Sequence, residues 1–255
     1  MTTRRIFANV AVIFLLSLMG CITAKKITST LIIPDYDFSP PSSVASGSAG
    51  IKVGLIEPNY DGNFIYSNKS PFGQFRKSMG SDFEEILTSR GFTIKGPFEA
   101  YDLMTYSDKT ECELGLDINI DLNIIETSGG WDHIPPQTNP YAMRRGNYSR
   151  YGGTLNLSGK ITIAVIETFT RQKLLVKSIP VPQENIVVQA EADYNFNSIG
   201  VPLEDPGVHN PIAAALSNFY KSTMKRGYDM LSKEELAHVQ TQVAEIREKA
   251  GFIKR

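Results

Sequence analysis

Leu114-Gly-Leu-Asp-Ile-Asn-Ile-Asp-Leu-Asn-Ile124 alternates apolar and polar side chains without a break. Successive side chains of a strand point to opposite faces, so Leu114, Leu116, Ile118, Ile120, Leu122 and Ile124 would line a core. Asp117, Asn119, Asp121 and Asn123 would meet water on the other face. The spacing Asp117-x-Asn119-x-Asp121 also begins a calcium loop. That loop needs a glycine where Leu122 stands and a bidentate glutamate where Ser128 stands. A long half-buried strand is therefore expected, with no metal site.

Downstream, Leu155, Leu157, Ile161, Ile163 and Val165 give a second long strand over Thr154–Phe169. Thr170-Arg171-Gln172 would turn it, Lys173–Pro180 would return as a hairpin partner, and Ile186–Ala192 would add a short strand. Upstream, Ile51, Val53 and Leu55 alternate in a first strand. Ser70-Pro71 then supplies a cap and a first-turn proline to a helix whose apolar positions run from Phe72 to Leu87. Gly73 and Gly80 weaken its first half, and Ser81–Glu84 offers an internal capping box. Gly91 closes it, and Phe92–Lys95 forms the next strand. This strand–helix–strand unit implies a right-handed crossover. Near the C-terminus, Asn210-Pro211 would open one helix and Ser232–Glu235, a capping box, another, ended by Gly251. The fold class is thus α/β (α+β): a single domain over 51–255, with a mixed twisted sheet packed by one N-terminal and two C-terminal helices.

The first twenty residues read differently. Arg4-Arg5 precede an apolar run from Ile6 to Met19, followed by Gly20-Cys21. A basic start, about 7–15 apolar residues and a small residue make an export signal. The run is shorter than the roughly 20 residues of a membrane-spanning helix. Leu18-Met19-Gly20-Cys21 resembles a lipobox, which implies cleavage before Cys21 and acylation of its sulfur; a plain secretory peptide is the alternative. By the same resemblance, Ile22 at the next position points to the outer membrane. Residues 22–50 are rich in Ser, Thr, Pro and Gly and read as a flexible tether. Losing residues 1–20 removes Arg4 and Arg5, which leaves 24 basic against 27 acidic side chains, net −3. No strong field then draws the chain to nucleic acid. With Cys21 acylated, Cys112 has no partner for a disulfide, and Glu111 and Glu113 beside it disfavour its thiolate.

Catalytic patterns are missing from the sequence. His133, His209 and His238 lie far apart, the loop after the first strand lacks phosphate-cradling glycines, and no serine sits in a nucleophile elbow. The expectation is a non-enzyme without cofactor. The unusual part is the segment 129–153, which links two strands by a span far longer than the two to five residues of an ordinary hairpin loop. Its candidate binding residues are Trp131, His133, Tyr141, Arg144, Arg145, Tyr148, Arg150 and Tyr151. Aromatic faces and arginine forks suit an acidic glycan. The same residue types dominate protein interfaces. They would equally pack back on the domain's own sheet.

The lipobox, the Ile51–Pro58 strand, Glu84-Glu85-Ile86-Leu87-Thr-Ser-Arg90-Gly91-Phe92, the alternating strand, Gly159-Lys-Ile161-Thr-Ile163-Ala-Val-Ile166-Glu167 and Ile212-Ala-Ala-Ala-Leu216-Ser-Asn-Phe219 occur in an order that resembles the neuraminyllactose-binding haemagglutinin lipoproteins. The resemblance implies a surface or outer-membrane lipoprotein tied to adhesion, with sialylated glycoconjugates as ligand. That family's proposed ligand motif is a dense Lys/Arg run after the long strand, where this chain has Arg144-Arg145, with Arg150 nearby. The opening also resembles periplasmic α/β domains of outer-membrane assembly and secretion lipoproteins. The expected function is a lipid-anchored binding or adhesin-like protein held by N-terminal acyl chains. The alternative is a structural periplasmic lipoprotein docked on an envelope machine.

Overall fold

The structure, a computed structural model, describes residues 29–62, 64–134, 148–195 and 198–252. The elements in order are β1 (Lys52–Ile56), β2 (Asn59–Tyr60), α1 (Phe72–Ser89), β3 (Thr93–Phe98), a 3₁₀ turn at Tyr101–Leu103, α2 (Tyr106–Glu111), β4 (Leu114–Ile134), β5 (Tyr148–Glu167), β6 (Lys173–Gln189), β7 (Tyr194–Asn195), α3 (Pro206–Met230) and α4 (Lys233–Lys249). They build one mixed sheet in the order β3-β1-β4-β5-β6, with β2 also on β4 and β7 also on β5. β1 lies parallel to β3 and β4, as the strand–helix–strand reading requires, and β4, β5 and β6 run antiparallel.

The alternation at 114–124 sorts as expected. Leu114, Leu116, Ile118 and Ile120 are fully buried beneath α1 and α3, beside Leu155, Leu157 and Ile161 of β5. Ala164 and Ile166 project the other way, into a small second core with Ile56, Tyr101, Met104 and Cys112. Cys112 is buried, and it is mainly this burial that pushes its thiol up, with Glu111 and Asp108 adding to the effect.

Several expected boundaries move. β4 and β5 pair from Leu114↔Glu167 all the way to Ile134↔Tyr148, so most of the expected 129–153 loop is hairpin arm. β6 is continuous through Pro180 and Pro182, which an edge strand tolerates because no further strand needs their missing N–H. α1 is unbroken at Ser81, since Met79, Phe83, Ile86 and Leu87 hold one buried stripe through it. α3 starts four residues before Asn210, capped by Asp205 with Pro206 in the first turn, and it carries Pro211 inside. In α4 the buried position of the last turn is Arg247 rather than Ile246 or Ala250.

The expected tether over 22–50 is also corrected in its described part. Residues 29–50 form no helix or strand, yet they run along the domain as a strap. Tyr36 is 5% exposed and rests on Phe75 and Tyr220 at ring-centroid distances of 5.4 and 5.1 Å. Val44 N–H donates to Ser89 O, and Ala49 N–H to Gly91 O. Proline and serine composition hid these anchors, because one aromatic side chain and a few backbone bonds suffice to seat an extended segment.

Candidate functional site

The far half of the β4–β5 hairpin depends on four glycines that face one another, Gly129↔Gly153 and Gly130↔Gly152. Gly129 and Gly130 have φ of 86° and 112°, and a Cβ on Gly129 would stand 2.2 Å from Gly152 O. Only glycine permits that approach. Pairing shifts register between Glu126 and Ser128, and the ladder resumes beyond it with Trp131 opposite Tyr151.

Past this junction an aromatic cluster closes the end of the sheet. Trp131 packs edge-on to Tyr151 at 5.2 Å and to Tyr194 at 5.4 Å, and its indole N–H donates to Gly200 O at 3.0 Å. Tyr151 is 1% exposed and gives its hydroxyl proton to Glu126 at 2.8 Å. It is a core residue and cannot meet a ligand, which corrects its place among the expected binding residues. Trp131 is half-buried and packs on the sheet through the same ring contacts.

Polar groups frame the rings. Arg150 holds Asp193 Oδ1 through Nη2 at 2.6 Å and Nε at 3.2 Å. His133 Nδ1 lies 2.7 Å from Ser149 Oγ. Asp205 accepts from the N–H groups of Glu191, Ala192 and Gly207 and from the Tyr194 hydroxyl, tying the segment after β6 to β7 and α3. Burial, then the Asp205 charge, pushes Tyr194 up to about 12. Sequence reasoning missed Tyr194, Asp193 and Asp205. Asp205-Pro206 is itself a helix-start signal, but the later Asn210-Pro211 pair masked it. The backbone of Tyr148 pairs with Asn195, while Tyr141, Arg144 and Arg145 lie outside the described residues.

Beside the glycine junction, on the open face of the sheet, a shallow depression of about 420 Å³ is lined by Ile125, Thr127, Thr154, Asn156 and Asn185, among others. Asn156 donates to Asn185 at 2.7 Å there. Among the described residues no group of three His, Cys, Asp or Glu could hold a metal ion, and no helix is long and apolar enough to cross a membrane.

No protein-family model matches the chain, and no curated protein sequence matches it. Solved structures do. A neuraminyllactose-binding hemagglutinin homolog from Helicobacter pylori superposes with a TM-score of 0.58 at 15% identity, over 84% of this chain and all of that one. This chain has the Helicobacter protein's fold. A protein from Xanthomonas campestris aligns with a TM-score of 0.34 at 10% identity, over 78% of this chain and 93% of its own. A lipoprotein from Neisseria meningitidis aligns with 0.26 at 9%, over 66% of this chain and 97% of its own. Identities this low relate architecture only, and a shared fold does not carry a ligand with it.

Proposed function

We propose that this chain is a lipid-anchored envelope lipoprotein, not an enzyme, whose task is binding, and that the junction of Trp131, Arg150, Tyr194 and the depression beside it is the binding end. The observation that carries the reading is the preassembled aromatic and basic cluster. Trp131 keeps part of its ring in water while its N–H is tied down, and Arg150 is held in place by Asp193. A side chain already fixed loses little entropy on binding.

Two ligand classes fit. A sialylated glycoconjugate, the adhesin-like reading, is supported by the fold shared with a protein named for neuraminyllactose binding, and by amide and hydroxyl groups in the depression. Its carboxylate would have to displace Asp193 from Arg150. A protein of an outer-membrane assembly or secretion machine is favoured by the strap, whose first described residue, Ser29, bonds Glu191 close to the cluster. The described chain thus begins on the same side of the domain as the binding end. Protease shaving of intact cells decides between them: a protected domain supports the envelope partner, and a domain shaved from living cells supports the adhesin. Arg150→Gln with Trp131→Ala should abolish capture of a crosslinked partner or sialylated bead while far-UV circular dichroism stays unchanged. Unchanged capture would remove the site.

A further inference from the structure

The end of the domain where the strap begins carries exposed aliphatic side chains that the fold does not use. Ile33 is 77% exposed, Ile32 54% and Leu31 46%, while Ile65 and Ile199 reach 74% and 92%. A chain of contacts links these three stretches. Ile32 O accepts from the His209 ring at 3.0 Å, and the His209 N–H bonds Asp205 O. Asp205 holds Tyr194, which packs on Trp131, and Trp131 donates to Gly200, next to Ile199. Val201 N–H then reaches the hydroxyl of Tyr66, next to Ile65.

Chain length decides what covers this end. Cys21 and Ser29 are eight residues apart, and a fully extended chain of that length spans at most about 29 Å. Trp131 and Leu114 are seventeen residues apart on β4, which is up to about 56 Å of strand. Arg247 and Glu167 sit at that opposite end, bonded at 2.8 Å. A leash of half the sheet's length that starts beside Glu191 keeps this end near the anchoring bilayer.

We infer that the aliphatic rim of Leu31, Ile32, Ile33, Ile65 and Ile199 docks on the surface of the membrane that holds Cys21. The inference rests on the lipid anchor of the proposed function. Aliphatic side chains grouped at one end mark an interaction site. A second weak membrane contact beside an acyl anchor adds apolar burial without a spanning helix. Docking would leave the open sheet face and the flank of the hairpin turned sideways, toward partners in the same membrane.

The test uses the mature lipoprotein purified from cells that acylate it. It is placed in vesicles of phosphatidylethanolamine and phosphatidylglycerol that carry a headgroup nitroxide quencher. A fluorophore is attached at Ile33→Cys, Ile199→Cys or Lys249→Cys; Cys112, with no exposed surface, stays unlabelled. Quenching should be several-fold stronger at 33 and 199 than at 249. Adding Ile65→Glu and Leu31→Glu should cut the quenching at 33 and 199 several-fold, and neither substitution disturbs the core. Equal quenching at all three sites, or strongest quenching at 249, overturns the inference. The acyl mass on Cys21, read from the same sample, separates the two failures. Acylated protein quenched at 249 overturns the docking alone, and unmodified protein overturns the anchored reading with it.

Discussion

Asp82 lies 4% exposed on α1, where its carboxylate accepts a 2.8 Å bond from the Tyr220 hydroxyl. Burial pushes it up to about 6, against the pull of that bond. The folded state therefore holds the proton more tightly than the unfolded chain, whose ordinary value is near 3.9. The stability this proton contributes is fully present below about 4 and lost as pH rises through about 6. Urea midpoints should rise between pH 7 and pH 4.5, and Asp82→Asn should flatten that rise while raising stability at pH 7 by about 1 kcal/mol; a steeper slope in the variant would refute the assignment. Arg247 is the opposite case. Its pair with Glu167 is 7% and 0% exposed, and the same guanidinium reaches Lys109 O and Thr168 Oγ1. Burial works against the Glu167 charge, but N–H groups of Thr170 and Phe169 and the arginine hold it below its ordinary range. Arg247→Met should cost about 3–5 kcal/mol because a buried carboxylate loses its partner. Pairing it with Glu167→Gln should recover part of that loss in thermal melts.

Two elements set the shape of the binding end. The strap is seated by Tyr36, and Tyr36→Ala should cost about 3 kcal/mol in urea unfolding, as large buried aromatics do. It should also expose residues 39–50 to limited proteolysis, while amide exchange at Val44 and Ala49 quickens; slow exchange in the variant would show that the strap is held elsewhere. The glycine junction is the other element. Gly129→Val forces a side chain against Gly152 O at positive φ, a cost on the order of 1–3 kcal/mol. Exchange protection should fall beyond residue 129 and stay unchanged at Leu116 and Ile118. Uniform loss along β4 would mean that the arm and the body of the sheet form one unit.

At the scale of the whole molecule, the anchor and the domain are separable. Cys21→Ser, made behind an export signal that is cut without lipidation, should move the chain from the membrane fraction to the soluble one with the domain's melting temperature unchanged, because the described core begins at Tyr36. A variant that stays with the membrane would assign attachment to the docked rim alone. The sheet was legible in the sequence wherever one face is dry. Leu114–Ile124 and Leu155–Val165 keep a period of two because each second side chain meets α1 or α3. The C-terminal helices were legible from Ser232 and from the apolar steps through Phe219. The start of α3 was misplaced because two proline pairs compete within seven residues, and only tertiary bonding of Asp205 to Glu191, just past β6, selects the first.

Periodicity and composition by themselves determined the fold class, the parallel opening unit and the alternating strand, since each rests on local spacing, while the expectation of an acylated cysteine came from the resemblance of Leu18–Cys21 to a lipobox. Only the tertiary structure decided that residues 29–50 are a strap, that the hairpin runs to 134 and 148, that Tyr151 is core and that Arg247 is buried. Those outcomes depend on contacts between residues far apart in the chain, such as Tyr36 with Tyr220, Trp131 with Tyr194 and Glu167 with Arg247. No period within one segment records them.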